Sequence, residues 1–268
     1  MVRLLSAAAA VLLAGPVFAQ GAKVFEVRWF GQSFFQVVTP SGKRVVFDPH
    51  MIPFYGRPGI TADMILISHP HNDHTQVEAV DKGKDAKQFV GVKQDKPGKP
   101  DEWVKIDEKY KDMRVRTVGT YHDNEGGIKR GKNGVMIVEM DGLTFCHLGD
   151  LGEDLTDNED KLKAMLKLIG KVDVLFVPVG GIYTINGEEA KKLTKAINPR
   201  LFAIPMHFDP PNGPGDLQPV DEFLDEVKNV KKTPDTNLLT IAADAKADGY
   251  TVQVLGFKDK EPEPKKDK

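Results

Sequence analysis

Ser68-His69-Pro70-His71-Asn72-Asp73-His74 sets three imidazoles and a carboxylate within six consecutive positions, directly after the apolar run Met64-Ile65-Leu66-Ile67. Imidazole nitrogen and carboxylate oxygen are donors to zinc and to neighbouring divalent metals. In an extended segment His69 and His71 share a side and can grip one ion, while Asp73 and His74, where the chain turns, can address a second. Two divalent cations sharing one water bring its pKa from about 15.7 towards 7, so a nucleophile exists at neutral pH without a serine or cysteine. The alternative is a polar loop with chance histidines, but a donor cluster this dense is unusual outside metal sites.

The H-x-H-x-D-H run resembles the signature of the metallo-β-lactamase superfamily, in which residues far along the chain complete the metal site. That pattern expects a lone His, then an Asp in a Gly-Asp pair, then a final His, each after a strand. His122 in Gly119-Thr120-Tyr121-His122-Asp123, Asp150 in His147-Leu148-Gly149-Asp150 and His207 in Ile204-Pro205-Met206-His207 meet it. Five of the seven histidines thus fall on the pattern. The resemblance implies that His69, His71 and His122 hold one metal, that Asp73, His74 and His207 hold the other, and that Asp150 bridges them. Asp73 would both bind metal and orient the nucleophile. Of the remaining histidines, His50 reads as a loop residue after the strand exit Phe47-Asp48-Pro49. Asp48 reads as a hydrogen-bonding residue near the site, and His147, on a strand, as a core group or a partner of a ligand.

The elements that must position these donors can be read from periodicity. Val24–Trp29, Ser33–Val38 and Lys43–Phe47 read as an antiparallel meander. Met64–Ser68 is a short buried strand that delivers His69 at its carboxyl end. Strands over 88–92 and 115–118, and a hairpin of 135–140 with 143–148 about Asp141-Gly142, lead to His122 and Asp150. The second half alternates: helices over 160–169, 188–197 and 220–230, and strands over 172–177, 201–204 and 250–255. Strands leading into mixed α and β in each half fit two sheets packed face to face with helices outside. The resemblance implies an α/β fold of the four-layer αβ/βα sandwich type, with metals where strand ends converge.

The chain opens with Met1-Val2-Arg3, an apolar stretch from Leu4 to Leu13, and the small-residue signal Val17-Phe18-Ala19. This reads as an export peptide over residues 1–19, which places the mature protein in the periplasm or outside the cell. The apolar run is shorter than the roughly 20 residues that a membrane-spanning helix requires. Residues 20–257 are expected to form one metallo-hydrolase domain, and 258–268 a mobile charged tail. With 40% hydrophobic and 28% charged residues, the composition is that of a globular protein. A net charge of −2 gives no reason to expect a nucleic-acid partner. Cys146 stands alone and cannot form an intramolecular disulfide.

These readings lead to a metal-dependent hydrolase of a small-molecule ester, lactone, amide or phosphodiester, with two divalent ions: zinc, or manganese or iron. The resemblance ranks a lactonase-like or phosphodiester-cleaving enzyme above a β-lactamase. A non-catalytic exported metal-binding protein is the alternative. A diiron oxidoreductase of the same fold is a further one, although that branch typically has Glu where this chain has His71. For substrate contact, Lys129 and Arg130 on the basic Gly-rich segment 124–132 could hold a phosphate or carboxylate, and Tyr183 could donate to an oxyanion. Their alternative is an exposed loop with ordinary charges.

Overall fold

The computed structural model describes residues 23–94 and 101–258; residues 1–22, which include the expected export peptide, the segment 95–100 and residues 259–268 of the expected tail lie outside the described residues. Val24–Trp29 shows how the first sheet forms. Its alternate side chains Phe25, Val27 and Trp29 are buried while Glu26 and Arg28 are half-exposed, the period of a one-sided strand. It pairs antiparallel with Phe35–Val38, which pairs antiparallel with Arg44–Phe47, giving the expected meander. Met64–Ile67 then adds in parallel beside Arg44–Phe47 and is buried at every position, as a strand covered on both faces must be. Lys87–Val90 closes one edge of this six-stranded sheet and Leu238–Ala242 the other.

The second sheet has eight strands in the order Asp107–Tyr110, Met113–Tyr121, Lys132–Met140, Leu143–His147, Val174–Pro178, Phe202–Met206, Thr251–Leu255 and Val230–Thr233. Its first half is antiparallel, with the Asp141-Gly142 turn at positive φ on both residues, and its second half is parallel. The sheets meet through aromatic side chains, Phe35 against Phe176 at 4.2 Å and Phe25 against Phe145 at 5.4 Å between ring centroids. Helix Gly187–Ile197, started by a capping box of Asn186 and Glu189, buries Ala190, Leu193 and Ile197. Helix Glu159–Ile169 buries Met165 and Ile169. The outer face of the first sheet is covered by short 3₁₀ turns, Val77–Ala79 and Gly83–Asp85, over Phe34, Val46, Ile65 and Ile67. No helix among the described residues is long and apolar enough to cross a membrane.

One expected element is corrected. The helix anticipated over 220–230 stops after one turn, Asp221–Leu224, and Val230–Thr233 is instead an edge strand parallel to Thr251–Leu255. Val220 offers no side-chain cap, and Glu226 takes a positive φ of 58°, which ends a helix. The apolar positions Val227 and Val230 still pack on the core, so the helical spacing is satisfied by a bent chain. Leu238–Ala242 and Asp107–Tyr110 are strands that the pattern above does not single out.

Candidate metal centre

The donors sit where strands of both sheets end at the same rim. Met64–Ile67 delivers the His69–His74 cluster, Met113–Tyr121 delivers His122, Leu143–His147 precedes Asp150, and Phe202–Met206 delivers His207. The seven donors fall into two groups, His69, His71 and His122 in one and Asp73, His74, Asp150 and His207 in the other, with ligand atoms within 4.8 Å of one another in each. Asp150 Oδ2 lies between them. It is 3.1 Å from His74 Nε2, 3.1 Å from His207 Nε2, 3.3 Å from His122 Nε2 and 4.0 Å from His69 Nε2. His69 Nε2 and His71 Nδ1 are 3.0 Å apart.

The proton positions follow from the surrounding hydrogen bonds. Asp48 is fully buried, and its carboxylate accepts from Ser68 N at 2.7 Å, from Ser68 Oγ at 2.6 Å and from His74 Nδ1 at 3.0 Å. A carboxylate only accepts, so His74 carries a hydrogen on Nδ1, which leaves Nε2, facing Asp150, as the ring nitrogen available to a metal. Ser68 has spent its hydrogen on Asp48, so its oxygen accepts from His69 Nδ1 at 2.9 Å, and His69 Nε2 is a lone pair facing inward. One carboxylate thus sets one imidazole in each group. Nitrogen lone pairs and a carboxylate oxygen brought this close repel unless a proton or a metal cation lies between, and this donor set fits divalent metals of the zinc type.

The electrostatics agree with a cation-binding field. Burial lowers the His74 pKa, but Asp150, Asp48 and Asp73 outweigh it and hold it well above the ordinary imidazole range, so that without a metal a second proton sits on Nε2 against Asp150, in the place a cation would take. Burial would raise Asp150, yet His207 and His74 hold it well below the carboxylate range. Asp73, likewise raised by burial, is held low by His74. His69 and His71 are pushed down by burial and by neighbouring imidazoles, which favours the neutral, metal-binding form.

The backbone is bent to hold these groups. His207 and Asp48 take positive φ values of 52° and 42°, strained for non-glycine residues, and such strain concentrates at functional sites. Gly149 has φ +57°, and a Cβ there would sit 2.3 Å from Asn133 Oδ1 and 2.7 Å from Ser68 Cβ, so the turn before Asp150 admits only glycine. Asn133 Oδ1 accepts from Asp150 N at 3.0 Å while its amide donates to Leu148 O and Thr120 Oγ1. Gln32 Nε2 donates to Asp73 Oδ2 at 3.3 Å and Ser33 Oγ to Asp150 Oδ1 at 3.2 Å. Sequence reasoning missed Ser68, Asn133, Gln32 and Ser33. The one available signal was Asn133, a polar residue just ahead of the apolar run 135–138.

The two remaining histidines are satisfied elsewhere. His50 donates from Nε2 to Gly31 O and accepts Ile52 N–H at Nδ1, and burial pushes it down to about 4. His147 bonds Ser33 O and accepts Gly149 N–H, and stacks on Phe47 at 5.3 Å. Lys129, Arg130 and Tyr183 stand on two adjoining loops. Lys129 pairs with Glu125, while Arg130 donates to Ile182 O at 3.0 Å and lies 5.3 Å over the Tyr183 ring. Asp123 pins the first of these loops by accepting four backbone N–H groups, from Glu125, Gly127, Lys129 and Arg130. A 610 Å³ apolar cavity lies beyond Phe208, lined by Trp29, Val220, Leu255 and Phe257 and by none of the seven donors.

Comparison with known proteins agrees with this geometry. A family model described as a beta-lactamase superfamily domain matches residues 26–207. A metal-dependent hydrolase of Anaeromyxobacter is 30% identical over 209 residues, covering 68% of this chain and 74% of that protein. One of Thermodesulfovibrio yellowstonii is 28% identical over 225 residues, covering 72% and 81%. A crystal structure from Thermotoga maritima, described as a candidate Zn-dependent hydrolase of the metallo-β-lactamase superfamily, is 32% identical with a TM-score of 0.61, covering 87% of this chain and 98% of that one. The chain therefore belongs to the metallo-β-lactamase superfamily, among its metal-dependent hydrolases.

Proposed function

We propose that this protein hydrolyses an ester, lactone, amide or phosphodiester of a small molecule at a pair of divalent metals. On this reading His69, His71 and His122 hold one ion, Asp73, His74 and His207 the other, and Asp150 both. The observation that carries it is the approach of four imidazole Nε2 atoms to Asp150 Oδ2 at 3.1 to 4.0 Å. Divalent cations bound there would supply an activated water and take up the negative charge developing on the substrate oxygen. Zinc suits the donors, and manganese or iron would be accepted by the same set.

The chain's own residues do the rest. His71 and Asp73 are half-buried while the other five donors are buried, so substrate meets the centre on that side. Asp73, steadied by Gln32 Nε2, is placed to orient the attacking water through its carboxylate. Asp48 and Ser68 hold the Nδ1 hydrogens of His74 and His69, which reserves Nε2 of each ring for a metal. Residues 1–19 are read as the export signal that delivers this enzyme to the periplasm or beyond.

The test is turnover of p-nitrophenyl esters, a γ-lactone and bis(p-nitrophenyl) phosphate by zinc-loaded wild type and Asp73→Asn, with metal high enough to keep both proteins filled. We expect hydrolysis of at least one class by wild type and a loss of roughly a hundredfold in the variant. Metal binding with no turnover in wild type would leave the non-catalytic metal-binding reading in its place.

A further inference from the structure

Gly31, Gln32 and Ser33 turn the chain between Val24–Trp29 and Phe35–Val38, and Phe34 N closes the turn by donating to Gly31 O at 3.0 Å. Gln32, at its second position, has a φ of 48°. Glycine, asparagine and aspartate dominate such positions, because a longer side chain is strained there. A glutamine kept in that conformation needs a reason, since strain of this kind persists only where the surroundings over-determine it and concentrates at functional sites.

The turn reaches three of the four donors in the second group. Gln32 Nε2 donates to Asp73 Oδ2 at 3.3 Å, Ser33 Oγ donates to Asp150 Oδ1 at 3.2 Å, and Gln32 O accepts His207 N–H at 3.1 Å. Among the described residues, no hydrogen bond joins the turn to His69, His71 or His122. Asp73 is the looser of the two carboxylates in its group, its side chain 36% exposed against 2% for Asp150. Its Oδ2 lies 3.5 Å from His74 Nε2, and a carboxylate oxygen has lone pairs enough to take the Gln32 amide on one side and a cation on the other.

Both histidines outside the donor set hold this turn. His50 Nε2 donates to Gly31 O at 3.2 Å, and His147 Nε2 donates to Ser33 O at 2.9 Å while His147 Nδ1 accepts the N–H of Gly149, next to Asp150. Trp29 Nε1 donates to Gln32 O at 3.0 Å, so the carbonyls of all three turn residues are engaged. The Tyr55 ring covers Gly31, where a Cβ would lie 2.1 Å from it. Each of the seven histidines is thus either a donor or a support of the turn that steadies the donors.

Building on the two-metal reading above, we infer that Gln32 is a positioning residue for the second ion, and that its strained backbone is retained so that its amide can hold Asp73 in place. Metal binding and stability then oppose each other at this one residue.

The test compares Gln32→Asn, which suits the left-handed backbone but is one CH₂ shorter and falls short of Asp73, with Gln32→Met, which keeps the length and loses the donor. Both leave the backbone carbonyl that Trp29 and His207 use. Zinc affinity is measured by chelator competition in these variants, in wild type, in Asp73→Ala and in Gln32→Asn/Asp73→Ala. The zinc that Asp73→Ala weakens should bind about 10–100-fold more weakly in both Gln32 variants, and the double variant should be no weaker than Asp73→Ala. The metal-free Gln32→Asn protein should melt at or above the wild-type Tm. Wild-type zinc affinity in both Gln32 variants overturns the inference, as does a double variant whose loss is the sum of the two single losses. So does a metal-free Gln32→Asn protein that melts well below wild type, because Gln32 would then serve the fold. Should Gln32→Asn not fold, Gln32→Met carried through the same cycle with Asp73→Ala decides by the same criterion. None of these readouts needs turnover, so a wild type that binds zinc and hydrolyses nothing would sink the hydrolase reading alone, whereas one that binds no zinc would end both.

Discussion

Replacing Asp48 by asparagine should reverse the hydrogen-bond polarity of both groups of candidate metal donors at once. The carboxylate accepts from Ser68 N, Ser68 Oγ and His74 Nδ1 at 2.7, 2.6 and 3.0 Å. An amide keeps one acceptor oxygen, which Ser68 N–H claims, and turns NH₂ toward the other two partners. His74 must then accept at Nδ1, so the neutral ring keeps its one proton on Nε2, the atom 3.1 Å from Asp150 Oδ2, where it blocks a metal bond. Ser68, now accepting from the amide, turns its hydrogen to His69 Nδ1, and the His69 proton moves inward as well. Substituting the partner of a ligand typically costs 10–100-fold in metal affinity, about 1.4–2.8 kcal/mol, and here each of the two donor groups would lose one nitrogen. Ser68→Ala is the half perturbation, because it cuts the path to His69 and leaves the Asp48–His74 bond in place. Chelator-competition titration of zinc should show both ions weakened about 10–100-fold in Asp48→Asn, and only one of them in Ser68→Ala. A folded Asp48→Asn protein that binds both ions within about threefold of wild type would refute the tautomer argument.

Three further outcomes are expected. Gly149→Ala combines a left-handed backbone position with overlap on Asn133 and Ser68, and should lower stability by about 2–4 kcal/mol in urea unfolding. Chelation of zinc from protein held at a hundredfold excess over Kd should remove about 2.7 kcal/mol per site and lower Tm by about 5–10 °C in calorimetry. An unchanged Tm would mean that zinc does not bind the native form in preference to the unfolded one. Cys146 is fully buried and its thiol is pushed up to about 12 by that burial, so iodoacetamide should label the protein in urea and leave the native form untouched.

Much of the architecture is legible in local pattern. The alternation of Val24–Trp29, the uninterrupted apolar Met64–Ile67 and the Asp141-Gly142 turn each specify their own geometry through side-chain period and allowed φ. Where the pattern misleads, at 220–230, the helical spacing of Val220, Phe223, Val227 and Val230 is real but is used by a bent segment, because an open sheet edge beside Thr251–Leu255 takes up Val230–Thr233. Local periodicity carries no information about which edge is free.

The candidate site divides in the same way. Residue types and spacing alone fixed the donor chemistry at His69–His74, since three imidazoles and an acid at the end of a buried strand have few other uses. The matching positions His122, Asp150 and His207 were found through resemblance to a family pattern. Only the tertiary structure decided that Asp150 stands between the two groups, that Asp48 and Ser68 set the Nδ1 protons of His74 and His69, and that Lys129 pairs with Glu125 while Arg130 ties its loop to Ile182 O. Those are relations between atoms more than sixty residues apart in some pairs, such as His74 with Asp150, and hydrogen-bond direction and burial exist only once both sheets have packed.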